Sequence, residues 1–252
     1  MIKDITSTKN ETYKYIKSLK TKKAREKSRR YVVEGIKSVK DAILAGADME
    51  YAVVSDKFEK DIDLDLVYRV PDAIFAPLCD TDTPQGILAV INLPEDRMQE
   101  PDAELYLLCD KVNDPGNMGT IIRICDAVDC GLLLMKDTVD IYSPKTVRAS
   151  MGSFFHTKVR RGLDLDDVIK MKNQGYTIIS GALSADTKDY REIPKDGKRI
   201  IVVGNEANGI SDEILALSDF SAKIPIWGRA ESLNVGVAAS LMLYEARRNR
   251  KN

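Results

Sequence analysis

Cysteine, histidine and long apolar runs are all scarce in this chain of 252 residues, and each shortage removes a class of chemistry. The four cysteines, Cys79, Cys109, Cys125 and Cys130, lie in or beside apolar segments. With no export signal beside them, they are expected to be reduced, buried small hydrophobes rather than disulfide partners. Cys125 and Cys130 are five residues apart and the single histidine, His156, has no neighbouring ligand, so no zinc set forms at finger-like spacing and no metal is expected. His156 follows an aromatic pair, Phe154-Phe155, and reads as a packing residue. No stretch approaches the roughly 18 apolar residues that span a bilayer, and Met1-Ile2-Lys3-Asp4 does not open a signal peptide, which points to the cytoplasm. Gly-x-Gly-x-x-Gly is absent, which weighs against a dinucleotide-binding Rossmann site.

Charge is plentiful but balanced, with 38 Lys/Arg against 39 Asp/Glu. The average hides an asymmetry. Residues 1–40 carry 13 basic against 4 acidic side chains, a net +9, which leaves 25 against 35, a net −10, for the rest. A basic arm of this kind suits a nucleic-acid surface, and Lys22, Lys23, Arg29 and Arg30 are its densest part. A helix face that is merely solvated is the plainer alternative.

At 44% apolar residues the chain has enough hydrophobic material for one large domain or two smaller ones. Residues 8–30 read as one or two helices with Tyr13, Ile16 and Leu19 on one side. A strand at 31–35 leads into a helix closed by Ala45-Gly46. Strands are expected at 51–55, 66–70 and 86–91, with a helix at 72–78. Residues 92–102 hold two prolines and four acidic residues, so the boundary is placed there, between a domain at 1–95 and another at 103–252. Beyond it, apolar strands at 105–109, 132–135, 177–180, 200–203 and 222–226 alternate with helices at 121–128, 145–152, 166–173 and 235–248. That alternation favours a mostly parallel sheet covered on both faces, with its ligand crevice at the carboxyl ends of the strands.

Three segments fall at such ends: Asn113-Asp114-Pro115-Gly116-Asn117-Met118-Gly119-Thr120-Ile121-Ile122-Arg123, Val203-Gly204-Asn205-Glu206-Ala207-Asn208-Gly209, and Ile224-Pro225-Ile226-Trp227-Gly228-Arg229-Ala230-Glu231-Ser232-Leu233-Asn234-Val235. The first reads as a turn running into a helix that begins near Gly119 or Thr120. Arg123 then stands alone among apolar neighbours, either as a structural partner of a carboxylate such as Glu206 or as a catalytic charge. Gly204-Asn205-Glu206 reads as a loop that caps a helix starting near Ser211. Either Ser232 or Asn234 could cap the final helix.

In order and spacing, these segments resemble the three motifs of the SpoU-type (TrmH-like) RNA 2′-O-methyltransferases of the SPOUT superfamily. Asp82-Thr83-Pro84-Gln85-Gly86-Ile87-Leu88-Ala89-Val90 resembles the end of the small substrate-binding domain carried by the rRNA-modifying branch. The resemblance implies a C-terminal α/β trefoil-knot domain that binds S-adenosyl-L-methionine, an L30e-like N-terminal domain, a homodimer and an RNA substrate, with 23S rRNA ahead of tRNA. A non-catalytic RNA-binding or ribosome-assembly factor is the alternative from another class. By the same resemblance Arg123 is the catalytic arginine, with Asn117, Glu206, Ser232 and Asn234 around it. Gly204, Ile224 and Leu233 face the cofactor, and Lys145 and Arg148 join the basic arm on RNA or line a subunit interface. An arginine is a poor general base near neutrality, so Arg123 is read as a fixed charge that lowers the ribose hydroxyl's pKa, with deprotonated arginine as the competing version.

Overall fold

The structure, a computed structural model, describes residues 1–60, 64–94, 103–182 and 187–250. The described residues fall into two compact units, one built from Met1–Glu95 with Asp140–His156 and the other from Asp96–Val139 with Thr157–Asn252. Most of the acidic, proline-bearing boundary expected at 92–102 lies outside the described residues.

The N-terminal unit runs β1 (Ile2–Asp4), α1 (Glu11–Ser18), α2 (Lys22–Ser28), β2 (Arg30–Glu34), α3 (Ile36–Leu44), β3 (Met49–Ser55), β4 (Val67–Val70), α4 (Asp72–Phe75) and β5 (Ile87–Asn92). Its sheet has the order β1-β4-β3-β5-β2 and is mixed, with β5 antiparallel to both its neighbours. Asn10 starts α1 by accepting from the Thr12 and Tyr13 N–H groups, and the thin stripe of Tyr13, Ile16 and Leu19 is buried against this sheet. At roughly 1.5–3 kcal/mol for each fully buried large side chain, three such residues hold a short helix that propensity alone would not. As expected, α3 closes on Ala45-Gly46, with Gly46 at φ +65°.

The C-terminal unit begins with β6 (Leu105–Asp110), α5 (Pro115–Ala127) and β7 (Gly131–Met135). The chain then supplies α6 (Pro144–Ser150) and a following 3₁₀ turn to the N-terminal unit. It returns as β8 (Val159–Leu163), α7 (Leu165–Asn173), β9 (Thr177–Gly181), β10 (Lys188–Asp189), β11 (Arg199–Gly204), α8 (Asp212–Leu217), β12 (Phe220–Lys223) and α9 (Val235–Ala246). The sheet order is β10-β12-β9-β11-β6-β7-β8, parallel at every pairing. All six residues of β6 are buried, the mark of a strand covered on both faces.

Four expectations are corrected. α5 starts at Pro115, not near Gly119: Asp114 is its N-cap, accepting from the Asn117 N–H at 2.7 Å, and Pro115 takes the first helical position, where its missing N–H costs nothing. β12 stops at Lys223, because Pro225 cannot donate to a ladder and the chain leaves the sheet there. The segment Asp140–His156, expected within the second domain, groups with the first. Arg25 is the physical reason: it is only 4% exposed, its Nε and Nη2 donate to Asp140 at 3.0 and 2.6 Å, and its Nη1 donates to the Leu19 and Lys20 carbonyls. Tyr31, Tyr142 and Phe154 add a ring cluster that joins the same parts of the chain, with centroids 5.0–5.7 Å apart. Finally, His156 is exposed rather than packed.

Candidate active site

β6 and β11 run side by side in register as far as Asp110 and Gly204, so the segments after them leave the sheet as neighbours at its carboxyl edge. The third segment starts from β12 and ends at Asn234, beside Asn117. In the order β12-β9-β11-β6 it must cross the ends of β9 and β11, roughly 14 Å at about 4.8 Å per strand. This crossing brings all three segments to one place.

A chain of hydrogen bonds joins them. Asn234 Nδ2 donates to Asn117 Oδ1 at 2.7 Å, and Asn117 Nδ2 donates to Glu206 Oε1 at 2.9 Å. The backbone N–H groups of Asn113 and Asp114 each reach the same carboxylate at 3.3 Å. At the other end, Asn234 Oδ1 caps α9 by accepting from Gly236 and Val237 N–H. Between Ser232 and Asn234, the cap is therefore Asn234. Each amide uses its donor on one neighbour and its acceptor on the next, which fixes the orientation of both asparagines. α5 and α9 come close enough that a Cβ at Gly236 would sit 3.0 Å from the Thr120 methyl.

Burial pushes the Glu206 carboxyl up, but the hydrogen bonds from Asn117 and the backbone outweigh it, and the group is held below its ordinary value. Arg123 does not supply this stabilisation. It lies six residues beyond Asn117 on α5, is exposed, and forms no ion pair among the described residues. The reading in which it merely pairs with Glu206 is not what the geometry shows.

Gly204 is required by its own loop: a Cβ there would lie 2.1 Å from the Gly209 carbonyl carbon, where Asn205 and Gly209 bridge the turn. Two residues at this edge do more than the sequence suggests: Asp110 is not singled out there, and Asn205 reads only as part of a capping loop. Asn205 donates to the Lys111 carbonyl at 2.9 Å and accepts from Ala207 and Asn208 N–H, while buried Asp110 accepts from Ser211 N–H at 2.7 Å. Both lash the second segment to the first. The available signal was Asp110, a carboxylate closing an apolar strand.

Ile224 is half-buried, Leu233 is 36% exposed, and Ser232 is exposed. Among the described residues, the backbone groups of 226–233 form no hydrogen bonds, which leaves their donors and acceptors available to a ligand. The donor set thus fits S-adenosylmethionine.

The residues assigned to RNA all belong to the other unit. Lys22, Lys23, Arg29, Lys145 and Arg148 are exposed, and Arg29 closes α2 at φ +54°. Four of the six have partners: Arg30 pairs with Glu50 and lies over the Tyr15 ring, Arg148 pairs with Asp80 at 2.8 Å, Lys22 meets Glu26 at 3.8 Å, and Arg29 donates to the Pro94 carbonyl at 3.4 Å. The four cysteines are free and buried, with burial pushing the Cys79 thiol up to about 12. No group of three or more potential metal ligands occurs among the described residues, and no helix there is long and apolar enough to cross a membrane.

Comparison with known proteins identifies the family. Residues 104–244 match the SpoU rRNA Methylase family and residues 10–89 match an MRM3-like substrate binding domain. The chain belongs to the SpoU rRNA methylase family. It is 35% identical over 250 residues to the 23S rRNA (guanosine(2553)-2′-O)-methyltransferase RlmP of Bacillus subtilis, covering 98% of this chain and 100% of that one. The crystal structure of an AdoMet-bound rRNA methyltransferase from Sinorhizobium meliloti superposes with a TM-score of 0.87 at 31% identity, over 100% and 99% of the two chains. A tRNA (guanosine(18)-2′-O)-methyltransferase of Thermus thermophilus is 37% identical, but over only 61% of this chain and 78% of its own.

Proposed function

We propose that this protein methylates the ribose of one guanosine in 23S rRNA, the position corresponding to that modified by the Bacillus subtilis relative. In general terms, the chain is an S-adenosylmethionine-dependent RNA ribose 2′-O-methyltransferase. The bound cofactor supplies a methyl group on a positively charged sulfur, open to attack by oxygen. The protein's part is to make a ribose hydroxyl into an adequate nucleophile.

The observation that carries the assignment of roles is the chain Asn234–Asn117–Glu206, which ties all three segments together and leaves Arg123 outside any ion pair among the described residues. Glu206 sets the side-chain amide of Asn117, and Asn117 sets that of Asn234. Arg123, with no described carboxylate to neutralise it, stabilises negative charge growing on the 2′-oxygen and grips a neighbouring phosphate through its planar fork. Ser232 adds a hydroxyl to the target nucleotide, and Gly204, Ile224 and Leu233 hold the cofactor. The N-terminal unit supplies RNA affinity through Lys22, Lys23, Arg29, Arg30, Lys145 and Arg148. Full-length similarity to an rRNA enzyme, against partial similarity to a tRNA enzyme, favours rRNA.

The active form is a homodimer built on a trefoil-knotted C-terminal unit. Val237, Leu241 and Tyr244 on α9 recur at intervals of four and three residues, and all three are exposed. A stripe of this kind suits a second copy of the same helix.

The test is to map 2′-O-methyl groups in 23S rRNA from cells with and without the protein. Loss of one guanosine methyl, restored by the wild type and not by Arg123→Ala, is the expected result. An unchanged rRNA map with a lost tRNA methyl would overturn the substrate assignment.

A further inference from the structure

Trp227 is the sole tryptophan of the chain, and its side chain is 88% exposed, more than any other large apolar residue described. An indole is among the largest hydrophobic surfaces a protein possesses, so one held in water stands ready for a ligand. It lies on the segment that crosses the carboxyl ends of β9 and β11 to reach Asn234. Small residues, Gly228 and Ala230, follow it, and a Cβ at Gly228 would meet nothing within 4 Å, so the space beside the ring is open. Arg229 and Glu231, both exposed, complete the surroundings.

We propose that Trp227 is a stacking platform for an unpaired nucleobase of the RNA substrate, next to the nucleotide whose ribose is methylated. The proposal rests on the assignment of RNA as substrate. Proteins that read unpaired RNA stack splayed-out bases on aromatic faces and commonly add a guanidinium, the combination that Trp227 and Arg229 present. A second copy of the chain fits the same surface less well. Subunit interface cores are depleted in charge, and Trp227 is flanked by Arg229 and Glu231, whereas the apolar stripe of α9 has no charged member at Val237, Leu241 or Tyr244. The adenine of the cofactor is the remaining alternative.

Because Trp227 is the only indole, intrinsic fluorescence of the full-length protein reports on it directly. Three arms separate the occupants: dilution of the protein alone, addition of S-adenosylhomocysteine alone, and addition of a 23S rRNA hairpin carrying the mapped nucleotide to protein saturated with S-adenosylhomocysteine. Stacking predicts quenching in the third arm only. Trp227→Ala should raise KM for the hairpin by about 5- to 150-fold with kcat changed less than threefold, and Trp227→Phe should recover most of that loss. A spectral shift on dilution would give the indole to a second subunit, and quenching by S-adenosylhomocysteine alone would give it to the cofactor pocket. Methylation of the hairpin by the wild type is the control. Its absence overturns the rRNA assignment along with this one, whereas methylation with an unchanged KM in Trp227→Ala overturns the stacking alone.

Discussion

Two arginines, one in each unit, are used in opposite ways. Arg25 in the N-terminal unit is buried, with Asp140 and two carbonyls accepting from its guanidinium. Arg123 in the C-terminal unit is exposed and unpaired among the described residues, even though Glu206 belongs to the same unit. That carboxylate is held by an amide and two backbone N–H groups instead. A guanidinium already matched to a carboxylate holds structure together and has little left for a substrate. One that no described carboxylate neutralises keeps its charge for an incoming phosphate or oxyanion.

The comparison can be broken in four places, from the largest effect downward. Arg25→Ala leaves Asp140 without its cation and should cost about 3–5 kcal/mol of stability, seen as an earlier unfolding transition; a shift worth under 1 kcal/mol would mean that the pair is ornamental. Arg123→Ala should leave the unfolding transition where it is and lower single-turnover methylation by about 10²–10³, or 2.7–4 kcal/mol, with S-adenosylmethionine affinity nearly unchanged. Arg123→Lys should fail too, and a rate within about threefold of the parent for either variant would remove Arg123 from the chemistry. Neutralising Lys22, Lys23 and Arg29 together should flatten the dependence of log K on log salt by about 0.7–0.9 for each phosphate that is no longer neutralised, at little cost in kcat. Arg30, held by Glu50, should contribute less than any of the three.

The smallest effect concerns Glu206. Its folded pKa lies below the ordinary 4.5, so its stabilising contribution is fully present above that value and is lost as pH falls through the folded one. Acid titrations of the wild type and Glu206→Gln should therefore differ near neutrality and converge below pH 4.5. Curves that stay parallel through that range would show that the charge of Glu206 is unimportant. Since Glu206 is exposed, the gap should be small.

Much of this molecule was legible because apolar periodicity and end signals are local. Five strands of the parallel sheet, β6, β7, β9, β11 and, with its end misplaced, β12, follow from that pattern, as does the N-terminal stripe of Tyr13, Ile16 and Leu19. Asp114-Pro115-Gly116-Asn117 was misread because the same residues serve tight turns and helix starts, and only the capping bond to Asn117 N–H distinguishes them. β1 and β8 escaped notice for a different reason. β1 spans three exposed residues, and β8 carries Arg160 and Arg161 along a sheet edge, so pairing rather than pattern makes each a strand. The residues of the three segments were visible as clusters, but the chain from Asn234 through Asn117 to Glu206 spans sequence separations of 117 and 89 and exists only once the sheet is assembled. Arg25 was hidden by its company: among lysines it looked like one more solvated charge.

The grouping of Asp140–His156 with the N-terminal unit has a consequence for biosynthesis. As the chain emerges from the ribosome, everything up to residue 95 is available well before Asp140, Tyr142 and Phe154 are made. At roughly 5–20 residues per second, the interval to residue 156 is about 3–12 s. During that time Arg25 has no counter-ion and Tyr31 lacks its aromatic neighbours, so the first unit cannot reach its final packing as an independent nascent domain. By then β6, α5 and β7 of the second unit have also been synthesised, so the first unit completes its packing only after the second has begun to emerge.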